Sequence, residues 1–190
     1  MDKQLIEEKT FREIDFAETS FTIGDYEYCS FINCNFSGIS VANCTFLECT
    51  FNGCNLSTVN LAKAAFRDTK FTGCKLLGLH FQDVNPMGFD VGFDNCILNL
   101  SSFYDLKLKN TLFKNCSLSE TDFAGADLTG AIFDECDLAG TIFENTILEK
   151  ADLRTAYNYS IDPELNRNKK AKFSSASIAG LLHKYDIVIE

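Results

Sequence analysis

Residues 121–155 read, in blocks of five, TDFAG-ADLTG-AIFDE-CDLAG-TIFEN-TILEK-ADLRT. The third residue of each block is large and apolar: Phe123, Leu128, Phe133, Leu138, Phe143, Leu148 and Leu153. The first is small: Thr, Ala or Cys. A step of five suits neither regular element. On an α-helix it advances about 500° and the apolar stripe drifts around the axis. On a flat strand every odd step sends the side chain to the opposite face. Both the centre and the small residue stay inside only if the chain turns a corner in each block. Four corners then close a square coil of 20 residues.

The frame extends in both directions. Steps of five from Ile6 to Phe81 land on sixteen apolar residues, and steps from Phe93 to Leu153 on thirteen more. Sixteen of the 18 Phe lie on the frame; Phe89 and Phe173 do not. All nine Cys stand two residues before a centre: Cys29, Cys34, Cys44, Cys49, Cys54, Cys74, Cys96, Cys116 and Cys136. They share that column with Ala64, Ala126, Ala131, Thr121 and Thr141, so the column selects for small size, and Cys serves there as a small hydrophobe. A Cys116→Ser change is expected to cost about 1–3 kcal/mol, as a hydroxyl placed in an apolar column. Residues 82–92, with Pro86 and two Gly, shift the frame by two, which reads as a bulge at one corner with the rod continuing through it. Asn85, Pro86, Met87 and Gly88 are the residues there that could project. Continuation aligns Cys34, Cys54, Cys74, Cys96, Cys116 and Cys136 into one ladder, expected to remain as thiols.

The chain has 190 residues and a net charge of −10. That length suits one domain with a sizeable core. The charge argues against a binder of nucleic acid or of an anionic membrane. The first eight residues contain no apolar signal region, and no apolar run is long enough to span a bilayer. A cytoplasmic protein is the expectation, which favours reduced cysteines.

Catalytic constellations are lacking. His80 and His183 are too far apart on a rod to cooperate, and both read as surface residues. Cys44, Cys49 and Cys54 fall on successive walls instead of around one point, and no pair has the short spacing typical of structural zinc sites. The expectation is a non-enzymatic protein without metal or cofactor.

Ala126-Asp127-Leu128-Thr129-Gly130 and Ala151-Asp152-Leu153-Arg154-Thr155 match the small–polar–Leu/Phe–x–x consensus of the pentapeptide-repeat family, which the chain resembles over about residues 4–155. The resemblance implies an all-β solenoid, specifically a right-handed quadrilateral parallel β-helix. The reading divides the chain into residues 1–155, a rod of about seven coils, and residues 156–190, a helix–strand C-terminal cap. In the second segment Asp162-Pro163 reads as a helix start. Arg167, Lys169, Lys170 and Lys172 form a basic stretch. Ser174 or Ser175 can cap a second helix, on which Ile178, Leu181, Leu182 and Tyr185 form one apolar face. Ile187-Val188-Ile189 reads as a short strand. With Phe173, these apolar residues exceed what one cap needs, so the segment is expected to join two copies. A homodimer through it is also what the resemblance to the topoisomerase-interacting branch implies.

Charge is uneven along the chain. Residues 120–153 carry Glu120, Asp122, Asp127, Asp134, Glu135, Asp137, Glu144, Glu149 and Asp152 against one base, Lys150. All nine acids sit at outward repeat positions. A rod about as wide as a duplex and studded with carboxylates can occupy a basic groove built for DNA phosphates. In this the chain resembles the gyrase-binding members of the family, among them quinolone-resistance proteins and immunity proteins of peptide gyrase poisons. The resemblance implies a DNA mimic that engages a type II topoisomerase, DNA gyrase or topoisomerase IV, and modulates or protects it. It departs from plasmid-borne quinolone-resistance proteins in having no large projecting loops, only the short slip around Pro86. The alternative is a structural or protein-interaction rod using the near-neutral surface of residues 28–119.

Overall fold

A computed structural model describes residues 3–185 and 187–188. The chain winds into a stack of parallel strands around a filled core. One wall carries a nine-stranded parallel sheet: Thr10–Arg12, Ser30–Ile32, Thr50–Asn52, Thr69–Thr72, Val91–Asp94, Leu112–Lys114, Ile132–Asp134, Asp152–Leu153 and Lys172–Phe173. Another carries four strands: Gln4–Glu7, Gly24–Glu27, Thr45–Leu47 and Ala65–Arg67. Isolated parallel bridges such as Asn35↔Asn55 and Ser102↔Asp122 hold the other two walls. We number the walls in chain order, the first containing Ile6, the second Phe11, the third Phe16 and the fourth Phe21.

The corner is made two residues after each centre. There the backbone turns left-handed, with Asn33, Asn43, Asn95, Asn110 and Asn115 at φ between 50° and 63° and Gly at many equivalent positions. That conformation suits Gly and Asn and is disfavoured for longer side chains. Glu8, Glu48, Glu120, Lys63 and Lys150 adopt it as well, held by hydrogen bonds to the next coil. Glu120 N, for example, donates to the Ala139 carbonyl at 2.8 Å.

The centres fill the interior. On the second wall Phe31, Phe51, Phe71, Phe93, Phe113 and Phe133 stack ring on ring at 4.7–5.4 Å. On the fourth, Phe81, Phe103, Phe123 and Phe143 do the same at 4.5–5.7 Å. The two stacks meet edge to face, as quadrupoles prefer. All nine cysteines are buried free thiols.

The slip is a local insertion. Asn85 N still bonds to the Ala64 carbonyl, a separation of 21, whereas Asp90 N bonds to Phe66. The extra residues form the turn Pro86–Phe89, capped by the Asn85 side chain accepting from Met87 N at 3.0 Å. The stack resumes at once, with Phe71 opposite Phe93 and Lys75 opposite Ile97.

The tail differs from the sequence expectation. Instead of ending after Leu153, the ladder runs on for another rung, with Asp152 paired to Lys172 and Leu153 to Phe173. The nine rungs of the second wall make eight turns rather than seven, a stack roughly 38 Å tall at ~4.8 Å per rung. The open carbonyls of the last regular coil supply the reason. Asn166 occupies a small-residue position and donates to the Phe143 carbonyl at 2.8 Å. Asp162-Pro163 starts a turn, not a helix, and its carboxylate accepts from Glu164 N. The cap proper consists of two 3₁₀ segments, Ser175–Leu181 and His183–Tyr185. Ser174 caps the first, its hydroxyl accepting from Ala176 N at 3.2 Å. The expected α-helical face is therefore not formed: Leu181 packs on the core, while Ile178 and Tyr185 face outward. Ile187 and Val188 are exposed and belong to no strand; Ile189 lies outside the described residues.

Candidate functional surface

The small-residue column is more polar than its composition implies. Thiols and hydroxyls in it donate to the carbonyl 23 residues back, on the coil beneath: Cys54 to Phe31, Cys136 to Phe113, Thr121 to Leu98, Thr146 to Phe123. Each coil is tied to its neighbour through the interior as well as through the walls. Burial pushes the Cys49 thiol up to about 12. Hydrogen bonding with the flanking thiols, reinforced by burial, also pushes Cys74 and Cys116 up. Cys49, Cys74 and Cys116 are protonated at neutral pH and unsuited to nucleophilic chemistry. His80 sits mid-rod on the fourth wall beside Gln82, and His183 in the cap. Among the described residues no group of three His, Cys, Asp or Glu is placed to hold a metal ion.

The nine acids of residues 120–153 are brought onto four walls, not one patch. Asp127 and Glu149 lie on the first, Asp134, Glu135 and Asp152 on the second, Glu120 and Asp137 on the third, Asp122 and Glu144 on the fourth. Several are structural. Asp122, Asp127, Asp137 and Asp152 each accept from the backbone N–H two residues on, bracing a corner. Stacking also brings bases from outside the segment. Lys109 reaches Asp127 at 3.2 Å, Arg167 reaches Glu149 at 2.6 Å, and Arg154 and Lys172 flank Asp152 at 2.8 and 3.5 Å. The Arg154 guanidinium holds the Asp152 carboxyl down at about 2. Asp134 and Asp137 accept from Thr155 and Asn158.

What remains is a narrower acidic surface. From Ile97 to Glu144 the outward positions of the third and fourth walls hold Asp105, Glu120, Asp122, Asp137 and Glu144 and no Lys or Arg. Asp105, Glu120 and Glu144 are exposed and free of ion pairs among the described residues. Asp105 lies outside the acid-rich segment of the chain and joins Asp122 and Glu144 only through the 20-residue stacking. The slip projects modestly: Pro86, Met87 and Gly88 are exposed, Met87 to 74%.

Comparison with solved structures places this architecture. A trypsin-treated form of QnrB1, a plasmid-mediated fluoroquinolone resistance protein, superposes with a TM-score of 0.71 at 16% identity, over 100% of this chain and 92% of that one. A second trypsin-treated QnrB1 structure gives 0.51 at 19% identity, covering 98% and 100%. HetL, a pentapeptide repeat protein involved in heterocyst differentiation regulation in the cyanobacterium Nostoc sp. strain PCC 7120, gives 0.36 at 15% identity, covering 92% and 88%. No curated protein matches the chain. The family model for the pentapeptide repeat region matches residues 24–86 and 89–157, breaking where the chain inserts its bulge. Five-residue frame, square coil and model match agree, and the chain belongs to the pentapeptide-repeat family.

Proposed function

We infer that this is a non-enzymatic, cytoplasmic binding protein that presents its acidic third and fourth walls to a basic, DNA-accommodating groove of a type II topoisomerase. The observation that carries the reading is five carboxylates on two adjoining walls without an intervening base. A rigid rod of duplex-like width holds them in fixed rows, so docking costs little ordering. The full-length likeness to QnrB1 is one of fold. QnrB1's role in fluoroquinolone resistance is the reason to include such a drug in the test. The exposed Ile178, Tyr185, Ile187 and Val188 support a homodimer through the C-terminal segment, which would double the length of the acidic surface.

The test is a gyrase supercoiling and cleavage assay titrated with purified protein, with and without a fluoroquinolone. Restored supercoiling in drug means protection, and inhibition without restoration means competition with DNA. The triple variant Asp105→Lys, Glu120→Lys, Glu144→Lys changes exposed side chains outside the corner-bracing set and is expected to abolish either effect. An unchanged effect in that variant rejects the acidic surface. No effect of the wild type up to tens of micromolar rejects the topoisomerase and leaves a rod for another protein partner.

A further inference from the structure

The first wall has a property of its own. It carries nine levels: four regular rungs centred on Ile6, Tyr26, Phe46 and Phe66, the Pro86–Phe89 bulge, and four more centred on Leu108, Leu128, Leu148 and Asn168. The bulge is the fifth level, and Gly88 lies over Arg67 of the rung beneath. Below it the outward positions hold Glu7, Glu8, Asp25, Glu27, Glu48 and Asp68 with Arg67, and Lys3 pairs with Asp25. Above it they hold Lys107, Lys109, Lys150, Arg167, Lys169 and Lys170 against Asp127 and Glu149. The wall therefore reverses sign at its midpoint.

Internal ion pairs do not remove the contrast. Glu7, Glu8, Glu27 and Glu48 on one half, and Lys107, Lys150, Lys169 and Lys170 on the other, are free of ion pairs among the described residues. A surface with opposite halves about a central level is self-complementary under one operation, a two-fold axis that lies in the plane of the wall, at right angles to the rod and at the level of the bulge. We propose that the first wall is a self-association surface on which a second copy docks antiparallel. The rung of Glu7 and Glu8 then meets the partner copy's ninth level, which carries Lys169 and Lys170. That of Glu27 meets the level of Lys150 and Glu149, that of Glu48 the level of Asp127, and that of Asp68 the level of Lys107 and Lys109; Asp127 and Glu149 are already neutralised by Lys109 and Arg167. Met87, 74% exposed on the bulge, lies at the axis and meets its own copy there. Eight steps of ~4.8 Å by a width of about 15 Å give roughly 600 Å² per copy. That reaches the lower end of specific interfaces, so the association is reversible and salt-dependent. It is distinct from the C-terminal contact, which is apolar and lies at the end of the rod.

Sedimentation velocity tests it, on the full chain carrying Ile178→Asp and Tyr185→Asp to silence the C-terminal contact. A monomer–dimer equilibrium is expected at 20 mM salt, weakened at least tenfold at 500 mM. Glu8→Lys with Glu27→Lys, and separately Lys150→Glu with Lys170→Glu, are each expected to weaken it at least tenfold. Corner positions accept either charge, as Glu48 and Lys63 show, and so does the position before the corner, as Glu149 and Lys169 show, so folding, checked by circular dichroism, is retained. An equimolar mixture of the two charge variants, in which the reversed positions of one copy face those of the other, is expected to recover a 1:1 complex. The proposal is overturned by a monomer at 20 mM salt up to about 100 µM, by charge variants that associate like the parent, or by a mixture that stays monomeric. Should the silenced cap not fold, the same titrations on the otherwise unaltered chain read the wall contact as its salt-sensitive step.

Discussion

Replacing Phe123 by Ala tests whether the ring stack carries the stability of the rod. Phe123 is fully buried on the fourth wall. Its ring stacks on Phe103 at 5.1 Å and Phe143 at 5.7 Å, and meets Phe113 and Phe133 edge to face at 5.7 and 5.9 Å. Truncation loses the transfer free energy of the ring and leaves a void between three coils, which together cost about 3–5 kcal/mol. Each aromatic pair adds about 0.5–1.5 kcal/mol beyond area, so four lost pairs place the value at the upper end. The walls cannot collapse into the void, because the backbone ladder fixes their separation. For a chain of this size about 4 kcal/mol corresponds to a melting point lower by roughly 8–16 °C. Two controls sharpen the reading. Phe123→Leu loses the same four aromatic pairs but leaves a smaller void, and is expected to cost about 2–3 kcal/mol, less than Phe123→Ala. Phe11→Ala, at the half-buried open end, is expected to cost much less than Phe123→Ala, since a solenoid's stability is a sum over neighbouring coils and Phe11 has a coil on one side only. Chemical denaturation followed by circular dichroism reads all three. A cost below 1 kcal/mol for Phe123→Ala, or equal costs for Phe11→Ala and Phe123→Ala, refutes the reasoning.

Other outcomes follow from the same contacts. Cys116→Ser is expected to cost less than about 1 kcal/mol rather than the ~1–3 kcal/mol of a dry column, because Ser101 and Thr121 already place hydroxyls in such columns and donate to carbonyls of the coil beneath at 2.7 and 3.1 Å; a loss of 2 kcal/mol in a denaturation curve would show the site to be dry. Ellman's reagent is expected to find essentially none of the nine thiols in the native protein and all nine after unfolding. Cys49 titrates near 12 in the folded chain and near 9 unfolded, so its contribution is complete below pH 9 and is lost as pH rises toward 12, by up to ~1.4 kcal/mol per unit. Burial raises Tyr26 too, in the same sense. Denaturation midpoints that do not fall between pH 8.5 and 10.5 would contradict this. Gly180→Ala is expected to lift the cap, since a Cβ there would run into the Tyr159 carbonyl oxygen and lie 2.7 Å from its ring; limited proteolysis after Lys172 and Lys184 should accelerate severalfold.

The rod was legible because its two constraints, a large centre and a small residue two before it, recur with few exceptions. Size alone passes into sequence cleanly at such positions. The corner was less visible. Any residue can occupy the left-handed position once the next coil holds its N–H, so Asn and Gly are favoured there without being required. The ninth rung was hidden for a related reason. Ala171-Lys172-Phe173 keeps the small–polar–Phe order 20 residues after Leu153, but the irregular Asn158–Asn166 stretch breaks the five-residue count between them. The apolar spacing of Ile178, Leu181, Leu182 and Tyr185 pointed to an α-helix. The segment is too short, and its Gly180 too tightly packed on Tyr159, for that form to win over two 3₁₀ turns.

Charge behaves differently from packing in a solenoid, and this decides how such a surface is to be read. Residues adjacent in sequence are carried to different walls within five positions, whereas residues 20 apart become neighbours. A net −8 over residues 120–153 therefore describes no surface at all. Summed by wall, the same carboxylates separate into braces for corners, partners of Lys109, Arg154, Arg167 and Lys172, and a residue-poor but unopposed row on the third and fourth walls. The first wall over the same height holds Lys107, Lys109 and Lys150 against Asp127 and Glu149. A rod whose acidic charge is concentrated on one side orients in the field of a partner before contact. Reversal of Asp105, Glu120 and Glu144 should then slow association with a basic groove more than it hastens dissociation, and should flatten its salt dependence. Stopped-flow rates measured between 50 and 300 mM salt read this directly. A wild-type association rate independent of salt would mean that the acidic walls do not face the partner.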